Sequence, residues 1–313
     1  MSDSDRPFFL VGSERSGTSL LRLMIEHHPQ IACAAEFEFL VEFPGFAGAQ
    51  TDPIAYAQWL ATDRIFQAYE LRIDPKLDYV GLARAFLAQY CGTDKPIVGA
   101  TCHKHFDRLR TLWPRPRYIH LVRDGRDVAR SCVQMGWAGN VWHGVDRWVD
   151  AETLWDRVKS SVSADDRCEL SYEQLIRQPE QELGRLCEFL GTRYDAAMLD
   201  YSASSNYERP DPSLVQQWRT KLGPHDLALL EGKVGSLLRL RGYEPSGVEP
   251  LTPGALELAR LKLEDRIGRL RFRIGRYGVP NVVAMKLART FGPQVLARKM
   301  VLRLNAIDNQ HLR

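Results

Sequence analysis

Apolar positions come first as short unbroken runs and then at helical spacing. Residues 8–12, FFLVG, form a continuous apolar run closed by glycine, which predicts a buried strand. Residues 18–27 carry Leu20, Leu21, Leu23, Met24 and Ile25 and stop before Pro29, which predicts a helix beginning at a glycine turn. Residues 96–101 repeat the strand pattern and lead into a helix over about 105–112. Residues 117–122, RYIHLV, predict a third strand, followed by a helix over 124–135. A longer helix over 146–162 puts Trp148 and Trp155 on one face. A short strand over 168–171 and helices over 180–190 and 225–240 complete the pattern. Strands alternating with helices predict an α/β fold with a mostly parallel sheet and helices on both faces.

The stretch EPSGVEPLTPG, residues 244–254, interrupts this order with Pro245, Pro250 and Pro253. It divides the chain into a domain over 1–245 and a helical C-terminal extension over 246–313. In the extension, LELARLKLEDRIGRLRFRIGRYG spaces apolar residues at helical period among arginines, and a second helical stretch follows Pro280.

Composition changes the picture in two places. The net charge of +3 is too small to argue for nucleic acid, but it is unevenly spread. Residues 250–313 hold thirteen Lys and Arg against four Asp and Glu, so that stretch is +9 and residues 1–249 are −6. The six cysteines form no CxxC pair, which argues against a metal site or a disulfide framework. The acidic N-terminus does not read as a signal peptide, and no stretch approaches the roughly 20 apolar residues of a membrane span, so a cytoplasmic protein is expected.

The predicted first turn is GSERSGTS, residues 12–19. Gly12, Gly17 and Ser19 keep the spacing of a nucleotide-binding phosphate loop, but Thr18 stands where that pattern has lysine. A glycine loop between a strand and a helix aims backbone N–H groups and the helix N-terminus at an anion. Ser13, Ser16, Thr18 and Ser19 add hydroxyls, and Arg15 adds a forked cation. Without the lysine, or an acid placed to hold magnesium, the loop suits a metal-free anion of lower charge density. A second segment, LVRDGRDVARS (residues 121–131), puts Arg123 at a strand end and Ser131 two turns into the next helix, with Arg126 and Arg130 on one helical face. Arg123 and Ser131 could clamp one phosphate. Read alone, the segment is better taken as a solvated arginine-rich helix with Asp124 and Asp127 as caps.

The two segments together resemble the sulfotransferases that use 3'-phosphoadenosine 5'-phosphosulfate (PAPS) and release 3'-phosphoadenosine 5'-phosphate (PAP). The stretches HPQIACAAEFEF (28–39), SYEQLIRQPE (171–180) and QQWRTKLG (216–223) are similar to further segments of the tyrosylprotein and carbohydrate branch, so the resemblance spans roughly 7–245. It implies a P-loop-like central parallel sheet. The first loop would hold the 5'-phosphosulfate, and Arg123 with Ser131 the 3'-phosphate. Tyr172, Trp218 and Lys221 would be further cofactor contacts. It implies metal-independent in-line transfer of a sulfuryl group to a hydroxyl, assisted by a general base.

By the same resemblance Glu36, 21 residues after Arg15, is the first candidate base, with Glu38 its near neighbour. His103 and His105 are the rivals, and Lys104 a candidate transition-state cation, although the family's Lys-Thr-Pro pattern is absent. The segment GWAGNVWHGVDRW (136–148) would line an acceptor pocket through Trp137, Trp142 and His143, with Trp148 and Trp155 assigned to the core. The acceptor's identity stays open: small molecule, sugar or peptide tyrosine. For the basic extension three readings stay open: an anionic membrane surface, the acidic domain of its own or a second subunit, or an acidic acceptor. Too few aromatics for base stacking argue against nucleic acid. A P-loop kinase and a catalytically silent donor-binding module are the competing functions.

Overall fold

The computed structural model describes residues 6–311 apart from 93, 204, 206 and 292. Five strands, β1 (Phe8–Val11), β2 (Ile31–Glu36), β3 (Ile97–Cys102), β4 (Arg117–Val122) and β5 (Arg167–Ser171), form one parallel sheet in the order β2-β3-β1-β4-β5. The glycine loop leads from β1 into α1 (Thr18–Glu26). Between β2 and β3 run α2 (Pro53–Leu60), α3 (Arg64–Ala68) and α4 (Tyr79–Cys91), and α5 (Leu109–Leu112) precedes β4. After β4 come α6 (Gly125–Gln134), α7 (Val141–Gly144) and α8 (Asp146–Ser161). After β5 come α9 (Tyr172–Arg177), α10 (Pro179–Leu190), α11 (Trp218–Lys221) and α12 (Pro224–Leu240). The extension folds as α13 (Ala255–Tyr277), α14 (Val279–Phe291) and α15 (Gln294–His311).

Side chains alternate across the sheet, so each central strand feeds two cores. Phe9 and Val11 join Phe86, Tyr118 and Trp155 on one face, while Phe8 and Leu10 join Leu21, Met24, Leu183 and Leu186 on the other. This is why β1 reads as an unbroken apolar run: all four of its residues are fully buried. The expected helix over 105–112 is a 3-10 turn, Phe106–Arg108, running into the short α5. β2 was not expected. Its sequence, IACAAE, is mostly small residues with weak strand preference, and pairing with β3 decides its conformation.

Burial also fixes the segment after β4. Arg126, 1% exposed, lies between Asp124 and Glu231, 2.7 and 2.6 Å away, so it is an internal tie from α6 to α12 rather than a solvated cation. Asp124 caps α6 through the Arg126 N–H, and Asp127 accepts the Trp218 N–H at 2.8 Å. Trp148 and Trp155 are core residues as expected, and Trp155 stacks on the buried His120 with centroids 4.5 Å apart.

The carboxyl ends of β1, β3 and β4, three neighbouring strands, carry the glycine loop, the His103–His105 segment and Arg123. In parallel sheets this edge is where ligands bind.

Candidate active site

The glycine loop is shaped by two positive-φ glycines. Gly12 has φ 141°, and a Cβ there would run into the Leu121 carbonyl of the adjacent strand. Gly17, φ 93°, starts α1 beneath the ring of Tyr172, which leaves no room for a side chain. Between them Arg15 adopts φ 70°, unusual for a residue with a Cβ and typical of functional loops. Its Nε donates to Ser131 Oγ at 3.0 Å. Arg123 donates to the Arg15 and Leu214 carbonyls, each at 3.2 Å, with its guanidinium 4.2 Å above the Tyr172 ring. The two segments, more than a hundred residues apart, therefore form one cradle. Ser16 Oγ and Arg123 Nε are buried with no protein partner among the described residues. Orphaned donors beside the N-terminus of α1 fit an anion. Arg123 lines a cavity of about 230 Å³ together with Arg15, Gly17, Thr18, Ser19, Tyr172 and residues 207–211.

A second cavity, about 860 Å³, opens beside the first. Glu14, His103, Lys104, His105, Trp137 and Arg147 line it, together with His143 from α7 and Asp265 and Arg269 from α13. His103 is held by two neighbours: its backbone N–H donates to Glu38 Oε1 at 2.9 Å, and its ring Nδ1 lies 3.0 Å from the Gly12 carbonyl. A carbonyl only accepts, so Nδ1 carries a proton, and in the neutral ring, which lines the cleft, the lone pair is on Nε2. Burial pushes the Glu38 carboxyl up to about 7, with His103 opposing that rise. Lys104 bridges Glu14 and Glu42, at 3.6 and 3.4 Å. Burial works against the Lys104 ammonium, but the facing carboxylates outweigh it and hold its pKa above the ordinary value. Glu14 answers in the opposite sense: burial raises it, while Lys104, Arg147 and His103 bring it below the usual range. Arg147 also pairs with Glu14 and lies 4.7 Å over the Trp137 ring, and the Arg15 guanidinium is 5.9 Å from that ring. His105 takes φ 51° at the strand end, and burial and Arg108 lower its pKa.

The structure thus brings together Arg15, Gly17, Thr18, Ser19, Arg123 and Tyr172 at one cavity, with Ser131 behind it on Arg15 and Ser16 buried in the same loop, and His103, Lys104 and His105 at the other. Ser13 is buried with its hydroxyl on the Glu14 carbonyl, so it shapes the loop from within. Four expected site residues lie elsewhere in the structure. Glu36 lines neither cavity; its side chain is half exposed and pairs with Arg64 at 3.6 Å, because the end of β2 turns it outward. Trp218 is buried against Arg126, 3.6 Å from guanidinium carbon to ring centroid, and is a packing residue rather than a cavity wall. Lys221 is exposed and outside the cavity lining. Trp142 likewise leaves the cleft, with Lys233 above its ring at 4.5 Å. Sequence reasoning missed Glu14 and Arg147, although both lie within the segments it singled out, and it missed residues 207–211 and α13. Among the described residues no group of carboxylates, histidines and cysteines could hold a metal ion.

The model of the sulfotransferase family matches residues 7–196. Protein-tyrosine sulfotransferase A of Caenorhabditis elegans is 23% identical over 287 residues, covering 83% of this chain and 73% of that protein. Protein-tyrosine sulfotransferase 1 of Danio rerio is 24% identical over 285 residues, covering 79% and 75%. Among solved structures, the sulfotransferase domain of the curacin biosynthetic pathway superposes with a TM-score of 0.58 at 18% identity, covering 76% of this chain and 98% of that one. The sulfotransferase domain of the Synechococcus PCC 7002 olefin synthase gives 0.55 at 20% identity, covering 78% and 97%. These likenesses show the fold.

Proposed function

The chain belongs to the sulfotransferase family, and on that premise we propose that it transfers a sulfuryl group from PAPS to an acceptor hydroxyl, with His103 as the general base. The observation that carries this reading is the junction of the two cradles. Arg15 reaches Ser131 while Arg123 reaches the Arg15 carbonyl, which sets two anion-binding groups side by side for a donor with two separated phosphates. Glycine-loop N–H groups, Ser16, Thr18 and Arg15 would take the sulfated end. Arg123 and Ser131 would take the 3'-phosphate, with Tyr172 beside them.

At the reacting end, the acceptor oxygen loses its proton to His103 Nε2 and attacks sulfur. The bond from sulfur to the bridging oxygen then breaks, and the charge left on the 5'-phosphate is met by the loop donors and Arg15. The Gly12 carbonyl holds the ring in the tautomer this needs, as Glu38 holds its backbone. Lys104, paired with Glu14 and Glu42, keeps a positive charge at the cleft wall.

Thermal stabilisation by PAP, with ATP and 5'-AMP alongside and EDTA present, tests the donor assignment. A ligand at 100 times its dissociation constant adds about 2.7 kcal/mol. The expected result is a shift for PAP alone, with affinity falling tenfold to a hundredfold, roughly, in Arg123→Ala. An equal shift with ATP, or none with PAP, returns the loop to the ordinary nucleotide binders.

A further inference from the structure

We propose that α13, the first helix of the basic extension, is a working wall of the acceptor cleft, and that Arg269 on it holds a second, neutral oxygen of the acceptor. The proposal rests on the sulfotransferase reading above and names what that site accepts.

α13 does not merely lie near the domain; it is keyed into it at backbone level. Asp265, 5% exposed, accepts the Gly139 N–H at 2.8 Å, and Asn140 Nδ2 donates to the Leu261 carbonyl at 2.7 Å. A Cβ on Gly139 would come within 2.6 Å of the Asp265 Cα, and one on Gly268 within 2.6 Å of the Gly139 Cα. Two glycines facing each other let helix and loop touch through their main chains. That loop carries Trp137 and Ala138, which line the cleft along with Asp265 and Arg269 themselves. Asp265 and Arg269 are four residues apart and so share a face, and the structure pairs them at 2.6 Å.

The pair is satisfied on one side only. Asp265 fixes the terminal nitrogen of Arg269, but Arg269 Nε is buried and has no partner among the described residues. A buried donor on a cavity wall, with its guanidinium already anchored, is ready for an oxygen brought by a ligand. The adjacent Asp265 carboxylate neutralises the arginine and would repel a second carboxylate, so the oxygen it takes is neutral: a hydroxyl, ether or carbonyl. The inferred acceptor is therefore an oxygen-rich molecule with a second neutral oxygen set apart from the hydroxyl that receives the sulfuryl group. The family match ends at residue 196, so this wall lies outside the matched part.

The test uses the full chain, labelled PAPS and a panel in which every member carries such a second oxygen: a monosaccharide, a glycosylated long-chain alcohol, a methoxyphenol and a tyrosyl peptide. Wild type, Arg269→Ala and Asp265→Asn are compared for PAP-induced thermal shift and for KM and kcat with the acceptor turned over best. For Arg269→Ala the expected result is an acceptor KM raised about tenfold, with the PAP shift unchanged and kcat within about twofold. Arg269→Lys recovers part of the loss. Unchanged KM in Arg269→Ala overturns the inference. So does PAP binding by the wild type with no transfer to any panel member, because each carries the oxygen this wall is argued to take. Absence of PAP binding in the wild type fails the donor assignment instead. Arg269 has a partly exposed side chain, so its loss is compatible with folding, and an unaltered melting temperature without ligand checks this.

Discussion

The donor cradle and the acceptor cleft share a border yet are built by opposite means. The cradle is mostly main chain: a loop whose path two positive-φ glycines impose, closed by the Ser16 N–H on the Ser13 carbonyl at 3.2 Å, with arginines laid over it. The cleft is mostly side chain, contributed by the ends of β1 and β3, by α7 and α8, and by a helix of the extension. A backbone cradle recognises phosphate oxygens and tolerates few changes of sequence. A side-chain cleft can be rebuilt residue by residue. One chain can therefore keep its donor while its acceptor changes.

The largest effect that would sharpen this contrast is at the border. His103→Ala should lower kcat by about 10²- to 10⁴-fold, the usual contribution of a general base, while PAP still binds. Glu36→Gln should change kcat by less than about threefold, since its carboxylate faces Arg64. The reverse ranking in steady-state assays would move the base to the end of β2. Gly17→Ala tests the cradle's rigidity. A Cβ at φ 93° under the Tyr172 ring should cost about 2 kcal/mol or more of stability and weaken PAP binding with it, read by denaturant melts and titration. The smallest effect concerns Glu38. Its carboxyl, usually near 4.5, is raised to about 7 in the fold, so the folded state holds the proton more tightly than the unfolded one. Stability from this group is fully present below about pH 4.5 and is lost as pH rises through about 7. Melting temperatures of Glu38→Gln should fall less than wild type between about pH 5 and 8; parallel curves would remove Glu38 from this role.

Legibility from sequence followed the same divide. The cradle was readable because its parts are local: glycine spacing, a strand before and a helix after, and the run RYIHLV leading to Arg123. The fold was readable from β1 and β4, whose burial on both faces leaves unbroken apolar runs. β2 was not, because small residues such as Ala32 and Ala34 carry no strand signature until β3 pairs with them. Trp218 misled because an aromatic beside a cation reads the same whether it meets a ligand or packs on Arg126. The α13 wall was illegible for a different reason. Its arginines announce a basic surface, but only the close approach of Gly139 and Gly268 shows that one of them turns inward.

Trp137 gives the border a thermodynamic meaning. Its ring is approached by Arg15 of the donor loop and by Arg147 of the cleft, while Arg15 is also tied to Ser131. Whatever donor occupancy does to the Arg15 guanidinium reaches a ring that lines the cleft. Linkage then works in both directions: a factor by which PAP changes acceptor affinity must equal the factor by which the acceptor changes PAP affinity. One indole ring shared by two arginines is thus the point at which donor and acceptor occupancy meet in a single free energy.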